Sequence, residues 1–344
     1  MRPSPIYLAL ATLLAAASAT ASPWLLRPGE LVVVGRYDFE TADREYLDSG
    51  GPKVYPLRGK LNATTYAIDL RLGTLPDFEL QLMVPIKVVS YKADPVILLD
   101  DQGATPAIDF YQENVLDLSQ SNRGLGDLEL SARYQLFRRA LVGAVELAIK
   151  TPTGYDPPVG TFGDRPRSQE EFIANVGTFV RPENVRDDVT LGDGQLDASL
   201  GLLLGYAART GTFARLDTAY RLRFGDAADQ VVGHARVGQM LLGRLILFGG
   251  VDAEIAVTEG GVIGVSVAAE DPALPAAEYG GFNNLALREL RLERDRVGLA
   301  AGAILRLTDV VELNGAYGHV IWGRNTAVSR TISLGVGVRT SLLP

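Results

Sequence analysis

The chain has 344 residues, no cysteine and a formal net charge of −8 at pH 7. Without cysteine the protein has neither disulfides nor thiolate metal sites, so its stability must come from packing and hydrogen bonds. The acidic balance and the lack of a basic run argue against a nucleic-acid-binding protein, because phosphate binding needs a basic face.

The N-terminus has the three-part pattern of a secretory signal peptide. A Met-Arg start precedes an apolar run over residues 6–17, and small residues end in Ala-Thr-Ala at 19–21. The apolar run is shorter than the roughly 20 residues that a membrane-spanning helix needs, and it is followed by a cleavage-site pattern. We therefore expect residues 1–21 to be a signal peptide and residues 22–344 to form one exported domain.

The mature part alternates between apolar and polar residues over long stretches. In residues 127–136, for example, Leu128 and Leu130 fall on one face while Glu129 and Arg133 fall on the other. This period of two is typical of a β-strand with one apolar and one polar face. No apolar run in the mature part is long enough for a transmembrane helix, whereas a β-barrel needs only every second residue to be apolar.

These stretches are about 11 to 14 residues long, the length that a tilted strand needs to cross a bilayer, whereas strands of soluble proteins usually have about 5 or 6 residues. The pattern predicts about twelve strands, near residues 30–40, 62–74, 77–90, 124–137, 140–151, 194–207, 211–225, 230–242, 244–258, 294–307, 310–322 and 328–341. The predicted fold class is all-β, an antiparallel transmembrane β-barrel.

The connections between these strands alternate between long and short. Short turns are predicted at residues 75–76, 138–139, 209–211, 242–243 and 308–309, and long extracellular loops near residues 91–123, 152–193 and 259–293. Every long connection falls on the same side, as in barrels with tight periplasmic turns and longer outer loops.

Residues 285–296 are ambiguous, because their alternation fits a short helix, a separate strand or the protruding start of the tenth strand. A separate strand would break the alternation of long and short connections. We therefore interpret this segment as a strand extension or a loop element.

Three motifs in the middle third of the chain resemble landmarks of a known family. They are Gly124-Leu125-Gly126-Asp127-Leu128-Glu129-Leu130, Lys150-Thr151-Pro152-Thr153-Gly154 and Leu191-Gly192-Asp193-Gly194-Gln195-Leu196-Asp197. In these the chain resembles the phenol meta-pathway degradation family of outer-membrane β-barrel proteins. The resemblance implies a pore in a bacterial outer membrane that admits small, often aromatic or apolar, organic compounds. Its expected partners are outer-membrane lipids, the solute and the outer-membrane assembly machinery.

If the apolar faces contact lipid, the opposite faces project charges of both signs into the lumen. The candidate lumen-lining residues are Asp127, Glu129, Arg133, Glu146, Lys150, Arg215, Arg221, Arg223, Arg236, Asp252 and Glu254. One interpretation is that they pair in ladders, because unpaired charge in a confined space is unfavourable. Another is that they set the selectivity and the bore of a pore, and both can hold together.

No pattern in the sequence points to catalysis, a metal or a cofactor. His234 and His319 lie on different predicted strands and read as ordinary strand residues. The loop acids Asp187, Asp188 and Asp193, together with Asp197, lack the spacing of a calcium loop and are interpreted as solvated charge. We expect no enzyme activity, no metal and no cofactor.

The leading hypothesis is a channel for passive uptake of small organic solutes. The main alternative is a structural or partner-binding barrel whose lumen is occluded by its own ion pairs. A soluble periplasmic β-protein is a third possibility, and extraction into buffer without detergent would favour it.

Overall fold

The computed structural model describes residues 22–47, 51–55, 58–94, 96–97, 115–116, 119–155, 157–158, 165–175, 189–269 and 285–342. The expected signal peptide, Asp187 and Asp188 lie outside the described residues. So do most of the predicted loops at 91–123 and 152–193.

Twelve long strands form one antiparallel sheet that closes on itself, as the sequence predicted. They are β1 (Glu30–Ala42), β2 (Lys60–Leu75), β3 (Phe78–Lys92), β4 (Gln120–Leu125 and Leu128–Arg138), β5 (Leu141–Thr151), β6 (Leu196–Ala207), β7 (Thr212–Phe224), β8 (Gln230–Leu241), β9 (Leu245–Ala256), β10 (Asp295–Arg306), β11 (Val311–Arg324) and β12 (Arg330–Ser341). Each strand pairs with its neighbours along the chain, and β1 pairs with both β2 and β12, which closes the barrel.

The two faces of the strands differ as the alternating sequence predicted. Large apolar side chains stand exposed on the outer surface, among them Leu130, Leu147, Leu200 and Leu334, which are 53%, 54%, 66% and 54% exposed. Their neighbours in sequence point inward and are mostly polar or small. Such a surface belongs in an apolar solvent, because an apolar area of this extent is rare on soluble monomers.

Strand β4 is interrupted at Gly126 and Asp127. Its first half pairs with β3 from Ile86 to Tyr91, and its second half pairs with β3 from Phe78 to Met83. Only the second half pairs with β5, which ends at Thr151. The interruption therefore places the Asp127 backbone outside the regular ladder at one end of the barrel.

The short turns lie together at one end of the barrel, which we call the turn end, and the remaining connections lie at the other, the loop end. The paired ends of β1 and β12, Glu30 and Ser341, also lie at the turn end. At the loop end, Arg44–Tyr46, Lys53–Val54 and Thr326–Ala327 form a three-stranded sheet. A two-stranded pairing joins Val96–Ile97 to Val115–Leu116, and a short helix, α1, spans Gln169–Asn175.

The interpretation of the ambiguous segment as an extension of β10 is wrong, because most of it is a separate strand outside the barrel wall. Leu285–Arg291 pairs with Val262–Ala269 in a separate two-stranded sheet at the loop end, and β10 begins only at Asp295. The two strands pair with each other and so satisfy part of their backbone hydrogen bonds. Because this hairpin lies outside the barrel sheet, the alternation of long and short connections in the barrel is preserved. No helix among the described residues is long and apolar enough to span a membrane.

Adjacent positions in β12 test the assignment of the two faces. Leu334→Arg places a charge on the outer surface near the middle of the strand, and we expect the barrel in lipid vesicles to lose about 2–4 kcal/mol of unfolding free energy in a urea titration. Ser333→Arg points inward beside Asp38, its partner across β1, and should change this free energy far less. Equal losses in the two variants would contradict the assignment.

Candidate functional site: the barrel lumen

Apolar side chains from several strands line part of the lumen at the turn end. Val32, Val142, Phe213, Ile246 and Ile304 come from five different strands and form one buried cluster. Each points inward from the part of its strand nearest the turns. Apolar side chains that line a water-filled lumen stabilise the protein only when other apolar groups bury them away from water.

Residues 22–29 provide this cover. Trp24 and Leu26 pack into the apolar cluster and are 5% and 1% exposed, and Leu25 packs with Ala144 of β5 and Leu203 of β6. None of residues 22–29 belongs to a strand. The segment therefore fills the turn end of the lumen as a plug that is separate from the barrel wall, and we call residues 22–29 the plug segment.

Two glycines of the wall make room for the plug segment. A Cβ on Gly205 would lie 2.6 Å from both Pro23 Cγ and Trp24 Cη2, and a Cβ on Gly73 would lie 2.0 Å from the carbonyl oxygen of Arg27. The Gly29 amide also donates a 2.7 Å hydrogen bond to the Gly73 carbonyl. The wall is thus shaped to accept this segment.

Glu79 links the plug segment to the charges of the barrel. Its carboxylate accepts hydrogen bonds from Arg71 Nε at 2.8 Å, from Arg133 Nη1 at 2.8 Å and from the Leu26 amide at 2.9 Å. The side chains of Glu79, Arg71 and Arg133 are nearly inaccessible to solvent, with 0%, 1% and 2% exposure. Removal of Glu79 would leave two guanidinium groups buried without this carboxylate, which is strongly unfavourable.

Arg133 extends the network further around the wall. It also donates to Glu146 of β5 and to Gln81 of β3. Gln81 in turn donates to Asp69 Oδ2 of β2 at 2.6 Å. One guanidinium thereby connects three neighbouring strands across the lumen surface, as the paired-ladder interpretation anticipated.

On the loop-end side of this network lies a cavity of about 430 Å³ inside the barrel, which we call the lumen cavity. Of the predicted lumen residues, its wall includes Glu129, Arg133, Glu146, Lys150, Arg221 and Glu254. Met83, Ala148, Leu203 and Val232 add apolar patches to the same wall. The cavity is therefore mixed in character, and its size is in the range of small-molecule sites.

Other predicted residues lie on the inward face without lining this cavity. Arg215 bonds Asp217 within β7, with 2.5 Å between Nε and Oδ2. Asp252 of β9 contacts His234 Nδ1 at 2.6 Å and Arg236 Nη2 at 2.5 Å on β8. Pairs of this kind, within one strand or across two, satisfy charges that the lumen would otherwise leave exposed.

Three further ion pairs lie at the cavity wall. Glu254 binds Arg294 at 2.7 Å and Arg296 at 2.6 Å, one with each carboxylate oxygen. Arg36 binds Asp38 at 2.7 Å within β1. Most of the charge on the lumen surface is therefore matched locally.

A third group closes the loop end of β5 and β6. Lys150 Nζ contacts Asp193 at 2.6 Å, Asp197 at 2.9 Å and Asp127 at 3.3 Å. Arg223 binds Asp193 as well and lies 3.4 Å from Asp197. The interpretation of Asp193 and Asp197 as solvated charge is wrong, since both are held by these two cations.

Asp193 and Tyr155 lie outside the strands, and this environment shifts the pKa of both side chains. Burial alone would raise the pKa of Asp193, but Lys150 and Arg223 outweigh it and hold that pKa below its ordinary value. Burial and the hydrogen bond to Asp127 raise the pKa of the Tyr155 phenol. The Tyr155 oxygen also accepts a 2.9 Å hydrogen bond from the Gly194 amide, so the connection before β6 is tied to the interrupted part of β4.

The site also contains residues that were not predicted from the sequence, namely Trp24, Leu25, Leu26, Glu79 and Gln81. A signal for the plug segment existed, because apolar residues occur on the predicted polar faces near the turns. Leu203, for instance, interrupts the polar face of β6 and is the residue that contacts Leu25. No such signal existed for Glu79, because two of its three partners, Leu26 and Arg133, are more than 50 residues away from it.

No family model matches the sequence, and no curated protein matches it either. Among solved structures, the chain is similar to the COG4313 outer membrane channel from Pseudomonas putida F1, with a TM-score of 0.55 and 13% identity over 92% of this chain and 97% of that one. It also matches the CymD monoaromatic hydrocarbon channel (TM-score 0.42, 10% identity, 98% and 92% covered) and the KdgM porin (TM-score 0.39, 6% identity, 89% and 98% covered). The first likeness shows the fold, a transmembrane β-barrel of the outer-membrane type.

The Glu79 network predicts a large stability effect. We expect Glu79→Ala to lower the unfolding free energy by about 3–5 kcal/mol, because Arg71 and Arg133 lose their shared buried partner. Urea titration of the barrel, read by the heat-dependent shift of its band on a gel, measures this loss. Glu289→Ala is the matched control, since Glu289 pairs with Arg291 at an exposed site and should matter little. A Glu79 variant as stable as the control would contradict the proposed network.

The lowered pKa of Asp193 predicts the pH range in which the loop-end ion pairs are lost. A carboxyl group with a lowered pKa in the folded state contributes stability above its ordinary value of 3.8 and loses it as the pH falls through the lower value. Hydrogen exchange over residues 189–195, corrected for intrinsic rates, should therefore show equal protection at pH 7 and pH 5. Asp193→Asn should reduce protection at both. Loss of protection in the unmodified protein between pH 7 and pH 5 would disprove the assignment.

Proposed function

We propose that this protein is a passive channel for small organic solutes in a bacterial outer membrane, closed in the present conformation by the plug segment. The observation that carries the proposal is a charged cavity inside a closed barrel whose turn end is blocked by a segment outside the wall. A barrel of about twelve strands is wider than one that wall side chains alone fill.

A second cavity supports a route from the loop end. It has a volume of about 310 Å³ and is lined by Glu40, Tyr91 and Arg294 among others. Arg296 lines both this cavity and the lumen cavity, so the two adjoin at that side chain. A solute entering at the loop end would pass Arg296 to reach the lumen.

The plug segment is the natural moving part of this channel. Its anchoring hydrogen bonds are few, chiefly from the amides of Leu26 and Gly29, and neither bond belongs to the barrel ladder. Displacing residues 22–27 would therefore break apolar contacts and the Leu26–Glu79 hydrogen bond but leave every strand pairing intact.

The turn end then faces the periplasm and the loop end faces outward, because outer-membrane barrels have short periplasmic turns and longer outer loops. Outer-membrane lipids cover the apolar outer surface, and the assembly machinery of that membrane inserts the chain. The resemblance to the phenol meta-pathway family favours aromatic or apolar solutes. The apolar patches of the lumen cavity are compatible with such compounds.

The plug segment also supports a rival function. With Trp24 and the Glu79 network filling the turn end, a barrel that never opens would be a structural or partner-binding protein of the membrane surface. The two functions differ in whether the plug segment can leave the lumen.

Removing the anchoring side chains separates these functions. We expect the double variant Trp24→Ala, Leu26→Ala to raise the swelling rate of solute-loaded vesicles at least severalfold over the unmodified barrel, because the apolar cover of the turn end is lost. Leu200→Ala, a similar truncation on the outer surface, serves as the control and should leave the rate unchanged. If the double variant folds, as judged by the heat-dependent gel shift, and stays impermeable to every small solute, the channel function is rejected in favour of its rival.

A further inference from the structure

The lumen cavity has two charges that the rest of its wall does not neutralise. Every titratable side chain lining it has an ion-pair partner, as described above, except Arg221 and Glu129. Neither of these two lies within ion-pair distance of an opposite charge on any residue that the structure describes. They are of opposite sign and share one cavity.

The polar contacts of the two side chains are correspondingly sparse. Arg221 donates one hydrogen bond, from Nη1 to Gln230 Oε1 at 3.0 Å, which leaves most of its five N–H donors directed elsewhere. The Glu129 carboxylate makes no hydrogen bond to a described residue, although a carboxylate can accept several. Both groups are therefore available to a molecule in the cavity.

Their places in the sheet set the separation between them. Glu129 pairs with Lys150, and Lys150 pairs with Asp197. Asp197 pairs with Arg223, two residues from Arg221 on the same face of β7. Glu129 and Arg221 are thus three strands apart, roughly 14 Å along the wall at about 4.8 Å per strand. Because both side chains extend into the same cavity of a curved lumen, their charged ends lie closer together than their backbones.

The charge pattern selects against singly charged ligands. A lone anion bound at Arg221 would leave Glu129 unmatched, and a lone cation bound at Glu129 would leave Arg221 unmatched. A ligand with both charges matches both groups at once. Charge-assisted hydrogen bonds of this kind are the strong ones in a confined site.

The lumen cavity also offers apolar surface. Met83, Leu203 and Val232 line the same cavity, and Leu203 continues into the apolar contacts of Leu25. We propose, on the basis of the channel function above, that the lumen cavity is a binding site for small zwitterions with an apolar side group, with Arg221 receiving the anionic group and Glu129 the cationic group. Compounds of the amino-acid type, aromatic ones included, have this chemistry.

Four probes with one phenyl group and different charges test the proposal. They are phenylalanine, 3-phenylpropionate, phenethylamine and the neutral 3-phenylpropanamide. Titration calorimetry on the full-length mature barrel in detergent at pH 7 should give phenylalanine an affinity at least tenfold above each of the other three. Equal affinities for the four probes, or no binding of any of them, would overturn the site.

Substitutions at the two charges assign the roles. Arg221→Gln should lower phenylalanine affinity to that of phenethylamine, and Glu129→Gln should lower it to that of 3-phenylpropionate. The conservative Arg221→Lys keeps a cation and should retain part of the preference. If both Gln variants fold and still bind phenylalanine as tightly as the unmodified protein, the assignment of these residues is wrong.

Flux separates this inference from the channel function. Vesicle swelling with neutral sugars through the Trp24→Ala, Leu26→Ala variant reports on the channel alone. Swelling without any preference among the four probes would retain the channel and reject the zwitterion site. Selective binding of phenylalanine in a barrel that never conducts would retain the site and reject the channel.

Discussion

Closure of the sheet is the constraint on which the rest of this structure depends. In a bilayer every backbone amide and carbonyl needs a partner within the protein, and the pairing of β1 with β12 removes the last free edges. Closure fixes one set of side chains toward lipid and the other toward the lumen. Because the sheet encloses an interior, the side chains that face the lumen must be hydrated, form ion pairs or be covered. The charged side chains are hydrated or form ion pairs, and the plug segment covers the apolar ones.

The lumen changes character along its axis, and this gradient organises its contents. At the turn end, apolar side chains such as Phe213 and Ile246 surround Trp24. Glu79 joins the plug segment to buried arginines. Toward the loop end the wall encloses the cavity with Arg221 and Glu129, and at the loop end Lys150 holds the acids around Asp193. A solute crossing this lumen would exchange a polar environment for an apolar one.

The sequence predicted the twelve strands and the inward direction of residues such as Arg133 and Arg221, because a period of two is a local property that a closed sheet preserves. It did not predict that Leu285–Arg291 would form its own hairpin, since short alternating segments pair equally well outside a barrel. Nor did it reveal the plug segment or the central place of Glu79. Those depend on contacts between residues 53 positions apart, as between Leu26 and Glu79, and tertiary contacts of that kind leave no periodic trace.

The plug segment continues directly into β1, and this covalent continuity makes it a tethered ligand of its own lumen. A tether this short holds its ligand at an effective concentration in the millimolar range or above, whatever the abundance of the protein. In the proposed channel, a solute that displaces Trp24 would compete with a neighbour that is always present, and dilute solutes would meet a closed pore. The segment would rebind after each passage without a search. Closure would then be the resting state of every copy, which would suppress leakage through idle barrels.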